Sequence, residues 1–408
     1  MLKPKLKHLR HPLRTLKVAK SMVASRFEMR AFAAQGDRQF AGDPRYRVQY
    51  VTEGFASRRI SEAPDVALLD RICAAYNATV EHLESSQTTY RATGWWQQIR
   101  DRSLGPVRQA LRMRDIASLH RMYSNFFRDP CSTGLMAVPY GMMDVYFGGK
   151  MTDLHRRVYL ADTLYRLDYW RRETRGLFNP SDLAIPSIGN PFGVCLEGTL
   201  LSARAEFQHS CAVRVAGLLK PQRSTVMEIG GGFGGMAYYL LRDCPAIKYF
   251  NFDLPESIAL ATYFLVKAFP HKKILLFGER PLSESTIADA DIVLMPLFEM
   301  KRLQNASIDV TFSSHAMTDI KPPELVSYLE TIHRVTRNRF LFLGTALLPN
   351  VHELIGGDFD LFRLEERRTS HRHSHRPSGV EEVECVYSFD HTDKDRLSAE
   401  RNLANVNC

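Results

Sequence analysis

The apolar positions along the chain follow two periods, and the change falls near residue 187. Upstream, residues 61–173 are largely helical in pattern. "DVALLDRICAAYNATVEHL" (65–83) and "DLHRRVYLADTLYRLDYWRRE" (153–173) repeat apolar side chains at three–four spacing opposite charged faces. Between them, "DPCSTGLMAVPYGMMDVYFGGK" (129–150) is rich in turn formers and predicts a loop. The Pro/Gly-rich "NPSDLAIPSIGNPFG" (179–193) marks a boundary. After it come a helical stretch, "SARAEFQHSCAVRVAGLL", and then short apolar runs: "STVMEIGGG", "IKYFNFD", "KKILLFGE", "ADIVLMP", "SIDVTFSS" and "RFLFLGT". Helical patterns such as "LPESIALATYFLVKAF" and "PPELVSYLETIHRVT" separate several of them. That alternation predicts an α/β fold with a doubly wound parallel sheet, preceded by an all-helical N-terminal region. At the end, "DLFRLEERRTSHRHSHR" and "VEEVECVYSFD" flank "PSG", which predicts an antiparallel hairpin on the sheet edge. The expected organisation is therefore a basic tail (1–30), a helical region (31–186), an α/β domain (187–395) and a C-terminal tail (396–408).

Charge alters this picture at one end only. The formal net charge is +9, and residues 1–30 hold nine Lys/Arg against one acid, Glu28. The body is close to neutral, which argues against a nucleic-acid partner bound over the whole surface. Leu2, Leu6, Leu9, Leu13, Leu16, Val23 and Phe27 form an apolar stripe among those cations, interrupted by Pro4 and Pro12. Such a segment can lie on an anionic membrane surface. Packing on its own domain or on a partner is the favoured reading, because helical apolar stripes usually face protein. No apolar run reaches the roughly 18 residues of a membrane span, and no uninterrupted apolar leader stands at the start. The seven cysteines are scattered without a CxxC, so reduced thiols and a cytoplasmic setting are expected, with no metal site.

"EIGGGFGGMAYYL" (228–240) reads as strand, glycine turn and helix start, the arrangement that cradles a nucleotide-like cofactor. Gly230, Gly232 and Gly235 fit the dinucleotide template GxGxxG. Gly230, Gly232 and Gly234, with Glu228 ahead of them, fit the GxGxG template of S-adenosylmethionine-binding sheets. Asp253, at the end of the next strand, would accept hydrogen bonds from a ribose diol in either case. Glu228 leans toward the second template: an anion helps beside an ammonium and a sulfonium and hurts beside a pyrophosphate.

Residues 225–279, with "EIGGGFGG" (228–235), "DLPE" (253–256) and "YFL" (263–265), resemble the core of the sugar O-methyltransferases, a bacterial branch of the class I methyltransferases. "GNPFG" (189–193) and the helix bearing Arg204 and His209 are similar to the segment before that family's first strand. The resemblance spans about residues 187–345. It implies a Rossmann-like methyltransferase sheet, S-adenosyl-L-methionine as cofactor, and methyl transfer to a hydroxyl of a sugar or glycan precursor. The cofactor contacts it implies are Glu228, Gly230, Gly231, Gly232, Phe233, Gly234, Asp253 and Leu254, with Glu279 toward the adenine and Asn190 from the upstream segment. Arg204 and His209 become substrate contacts. After the fourth strand the family shows Asn, Ser and Glu-Met, where this chain has Ser313, Ala316, Asp319 and Ile320.

Methyl transfer to a hydroxyl asks for a base within hydrogen-bond reach. Ligands of such sheets bind at the carboxyl ends of the strands. The candidates are therefore His315 and Asp319, just after "SIDVTFSS"; an imidazole titrates near neutrality, which suits the task. His371, His373 and His375 would share one face of a strand, but Arg367, Arg368, Arg372 and Arg376 around them repel a metal and suit a phosphate or a solvated hairpin tip. The competing functional readings are methyl transfer to another small molecule or an amine, a dehydrogenase, and a cofactor-binding protein without catalysis.

Overall fold

A computed structural model describes residues 12–86, 90–136, 138, 142–220, 224–318, 320–345, 350–358, 361–376 and 381–389, with side chains from residue 25 onward apart from 350, 357 and 358. The expected C-terminal tail, the first eleven residues of the basic tail and the candidate base Asp319 lie outside the described residues. From Pro12 the chain is one helix, Pro12–Gln39. Pro12 is thus helical and does not interrupt the described part of the basic tail. That helix crosses the expected boundary at residue 30.

A two-stranded hairpin comes first in the α/β part, β1 (Gly193–Leu196) and β2 (Thr199–Ser202), where sequence predicted only a boundary. Its turn is Glu197-Gly198, both with positive φ, the twist a two-residue hairpin needs. The large sheet has eight strands: β3 (Thr225–Ile229), β4 (Lys248–Asp253), β5 (Ile274–Leu276), β6 (Ile292–Pro296), β7 (Ile308–Ser314), β8 (Thr336–Thr345), β9 (Arg363–Ser370) and β10 (Glu382–Ser388). Their order is β5-β6-β4-β3-β7-β8-β10-β9. The first six are parallel, and β10 runs antiparallel to both β8 and β9. The predicted hairpin is present, with β10 inserted next to β8 and β9 on the outside. His371, His373 and His375 fall in the turn after β9 and share no strand face.

The strands read as runs of apolar residues because both faces are covered. Val226, Tyr249, Val310 and Leu341 join one core, while Met227, Phe250, Ile308 and Phe340 join the other. The first core continues without a break into the helical half, through Ile72, Tyr123, Phe126, Leu160 and Trp170. Its helices Val66–Ser85 and Asp153–Glu173 begin at caps sequence supports: the Asp65 side chain accepts from the Leu68 N–H, and Thr152 forms a capping box with His155. Helices Pro255–Ala268 and Pro322–Val335 each place proline in the first turn, where no N–H is needed. No described helix is long and apolar enough to cross a membrane, and the six described cysteines are all free.

Candidate active site

A cavity of about 450 Å³ opens at the carboxyl ends of the parallel strands, centred on the turn that follows β3. That volume is within the range of small-molecule and cofactor sites. Its floor is the glycine turn. Gly230 has φ +78°, and a Cβ there would lie 2.1 Å from the Ala316 Cβ, so the turn packs directly on the loop after β7. The Gly231 N–H donates to Asn251 Oδ1 at 3.1 Å and the Gly232 N–H to Asp253 Oδ2 at 2.9 Å. Two side chains of β4 therefore hold the turn open. The Leu254 N–H donates to the other oxygen of Asp253 at 2.6 Å.

Glu228 and Asp253 both border the cavity and are almost entirely buried. Burial pushes the Glu228 carboxyl up to about 8; the hydrogen bond from the Tyr249 hydroxyl opposes this, and the charge of Asp253 adds to it. Burial likewise lifts Asp253 to about 7, against the hydrogen bonds from Leu254 and Gly232. Two such carboxyls in one desolvated pocket favour a ligand that brings positive charge. Asp253 keeps acceptor capacity for a diol, since each carboxylate oxygen can take more than one donor.

At the other end, His315 follows β7 with φ +62°, a conformation that strains a residue with a Cβ and persists where surrounding structure enforces it. Its Nδ1 is 2.9 Å from the Ser314 hydroxyl and its Nε2 is 3.1 Å from Glu382 Oε1. Burial opposes ionisation of Glu382, but the Arg372 guanidinium and His315 outweigh it and hold the carboxyl well below the usual range. An ionised carboxylate only accepts, so Nε2 carries the hydrogen and Nδ1 offers its lone pair. Ser314, His315 and the neighbours Thr318 and Ile320 all border the cavity.

Other predicted contacts divide. Gly230, Gly231, Gly232, Leu254 and Arg204 line the cavity. Phe233 does as well, though its ring packs against Phe126, Phe127 and Phe264. Gly234 (φ +90°) sits at the start of helix Gly235–Asp243, against Leu265. Glu279 is not on the wall. It forms an ion pair with Arg71 at 2.6 Å at the sheet edge, because β5 is an extra outer strand and β6 lies between it and β4. Leu297, directly after β6, borders the cavity instead. Asn190 is also elsewhere: it is buried, accepts from the Arg58 N–H at 2.7 Å, and donates to Asn125 and Ser57. His209 is fully buried among Trp170, Phe178 and Tyr239 and accepts from the Trp170 indole at 3.2 Å. Burial and Arg242 push its imidazole down to about 4, so it is a neutral core histidine and not a substrate contact. The hairpin arginines are engaged as well: Arg368 pairs with Glu384 and Glu173, Arg372 with Glu382, and Arg376 with Asp162.

Sequence reasoning missed Asn251, Ser314, Glu382 and Arg372, as well as Trp95 and Trp96, which reach the wall from helix Gly94–Arg102. One signal was present. "EVECV" puts acids at alternate positions of an apolar strand, and both Glu382 and Glu384 are buried.

The model of the O-methyltransferase domain family matches residues 208–299, a span that contains the glycine turn, Glu228 and Asp253. The chain is an S-adenosylmethionine-dependent methyltransferase. No curated protein sequence matches it. Among solved structures, the methyltransferase is similar to a TehB-like S-adenosylmethionine-dependent methyltransferase from Corynebacterium glutamicum (16% identity, 44% of this chain and 87% of that one, TM-score 0.29). It is also similar to an S-adenosylmethionine-dependent methyltransferase from Aquifex aeolicus (13%, 52% and 100%, 0.32). A third likeness is the Pyrococcus abyssi tRNA (uracil-54, C5)-methyltransferase in complex with S-adenosyl-L-homocysteine (11%, 46% and 39%, 0.31). The lining is compatible with S-adenosylmethionine: Asp253 would accept from a ribose diol, the Gly230–Gly232 turn would allow close backbone approach, and Glu228 would face a cationic group.

Proposed function

We propose that the protein is an O-methyltransferase that methylates a hydroxyl of a sugar or glycan precursor, with His315 as general base and Glu382 as its positioning residue. The observation that carries this reading is the Ser314–His315–Glu382 chain, in which Ser314 and His315 border the cavity and Glu382 backs His315 from outside its wall. Glu382 fixes the tautomer. The Nδ1 lone pair then accepts from the Ser314 hydroxyl at 2.9 Å, and an acceptor hydroxyl would take the place of that hydroxyl at Nδ1. S-adenosylmethionine, when bound, supplies a methyl group activated by its sulfonium. Glu228 and Asp253 hold negative charge at that end of the cavity, while the glycine turn sets the depth of binding. In transfer of that methyl group, Nδ1 of His315 would take the proton of the acceptor hydroxyl. The resulting imidazolium lies against the ionised Glu382, which stabilises it. Alignment of oxygen, carbon and sulfur supplies the rest of the rate. The exposed Trp95 at the mouth supports a sugar acceptor, offering an aromatic face to its C–H surface.

The test is methyl transfer from labelled cofactor to a panel of sugars, nucleotide sugars and surface glycans. His315→Gln should lower kcat by about 10²–10⁴-fold, the usual worth of a positioned base, with the cofactor Kd unchanged. A sugar methylated equally well by the variant would remove His315 from the role. Transfer to amines or phenols but to no sugar would replace the acceptor class.

A further inference from the structure

The charges of the cavity are segregated. Among the described residues that line it, the carboxylates are Glu228 and Asp253, both at the glycine-turn end, and the guanidinium groups are Arg91 and Arg204. Arg91 Nη2 is occupied by the carbonyls of Leu83 and Ser86. Arg204 differs. Its guanidinium has no hydrogen bond and no ion pair among the described residues; it rests on the Phe207 ring, 4.7 Å from the centroid. Burial and the nearby Arg372 push it down to about 10. A partly desolvated cation without a counter-ion is costly to keep. The backbone adds to that cost, since Arg204 holds φ +67° at the head of helix Ala205–Leu218.

The surroundings of Arg204 place it at the base end of the cavity. Arg372 contacts the same Phe207 ring at 3.6 Å, and Phe207 meets His315 edge-on at 6.1 Å. The charges that act on Arg204 are those of Arg372, Glu382, Glu206 and Arg166, whereas Glu228 feels the charge of Asp253 and a hydrogen bond from Tyr249. Phe207 therefore links the lone guanidinium to His315, away from the pair of acids.

Building on the methyl-transfer reading above, we infer that Arg204 is an oxyanion receptor for the acceptor, and that the acceptor is a sugar bearing a carboxylate or a phosphate beside the hydroxyl delivered to His315. A guanidinium fork matches either group with two parallel hydrogen bonds. Positive charge at this end and negative charge at the other then sort an anionic acceptor from a cationic cofactor.

The experiment is calorimetric titration of the full chain, saturated with S-adenosylhomocysteine, with glucuronate, glucose 1-phosphate, methyl glucoside and salicylate, and with inorganic phosphate as the simplest probe. At least one charged sugar should bind ten or more times more tightly than methyl glucoside, and which one does so distinguishes carboxylate from phosphate. Arg204→Gln should abolish that preference and Arg204→Lys should keep part of it, with cofactor Kd within threefold of wild type and melting curves confirming the fold. Equal binding of charged and neutral sugars would overturn the inference while leaving the sugar reading intact. So would an Arg204→Gln chain that loses tenfold or more in cofactor affinity yet keeps the preference, because the guanidinium would then serve the cofactor's own carboxylate. Binding of no anion at all to the wild type would overturn it too. Arg204-dependent binding of salicylate with no sugar bound would keep the receptor and remove the sugar.

Discussion

Glu228 is the residue whose surroundings make the sharpest statement about conditions. Its folded carboxyl titrates near 8, well above the ordinary value of 4.5 that an unfolded chain would show. A raised pKa means that the folded state holds its proton more tightly. The stabilising contribution is present below about 4.5 and is lost as pH rises through about 8. Melting temperature without cofactor should therefore decline between pH 5 and 8.5, and Glu228→Gln should flatten that decline in a calorimetric scan. Cofactor binding has the opposite sign. A cation favours the ionised forms of Glu228 and Asp253, so affinity should increase with pH over the same interval, with proton release on binding. An affinity independent of pH from 6 to 9 would count against both carboxyls as cofactor contacts. At this scale sequence reasoning brought Glu228, Asp253 and His315 to one site, and all three border the cavity. It failed for His209 and Asn190, because a polar side chain on a helix or in a loop can be satisfied inward as readily as it can serve a ligand.

The glycine turn and the C-terminal hairpin are the elements on which the site depends. Gly230 is fixed by contact as well as by backbone, since its missing Cβ is the space that Ala316 occupies. Gly230→Ala should lose about 1–3 kcal/mol of stability from overpacking, more with the left-handed backbone, and at least tenfold in cofactor affinity. A denaturant midpoint and a cofactor titration measure the two effects separately. The hairpin was legible as an element, but its position was not. Pairing β10 with β8 in register Glu382↔Thr345 carries Glu382 to the strand end beside β7, where His315 lies. Glu382→Gln should cost about 10²-fold in kcat, the lower end of what a general base contributes, and should alter the pH–rate profile. A purely structural Glu382 would lower stability and leave the profile of the surviving activity unchanged. The extra edge strand β5 displaced Glu279 for a similar reason: counting apolar runs cannot tell which of two consecutive strands pairs with β4.

Across the whole molecule, the helical half and the sheet share one core, and the cavity takes walls from both. A second junction is ionic. Asp162, buried on helix Asp153–Glu173, meets Arg166 on its own helix and His375 and Arg376 from the turn after β9. Arg166 continues to Glu206 at 2.7 Å, two residues beyond Arg204. Burial opposes the charge of Asp162, but Arg166, His375 and Arg376 hold its carboxyl far below the usual range. Its stabilising contribution is present above the unfolded carboxyl pKa and is lost only as pH falls below it. Asp162→Ala should cost about 3–5 kcal/mol, the penalty for leaving buried charges unpaired, and chemical denaturation at neutral pH measures it. By the same reasoning, residues 187–408 expressed alone should expose the face of the sheet that the helical half covers, bind a hydrophobic dye and lack a cooperative melt.

Sequence by itself determined the alternation of strands and helices, the glycine turn with its two acids, and a histidine after the fifth apolar run of that series. These depend on residues close together in the chain, so period and spacing carry them. Tertiary structure alone decided that Glu382 meets His315, that Arg204 faces the cavity with no counter-ion among the described residues while His209 on the same helix faces the core, and that Arg368, Arg372 and Arg376 are already paired. Each of those outcomes rests on partners tens to hundreds of residues apart. Strand order and the packing of the two halves bring such partners together, and no local pattern in the chain records that.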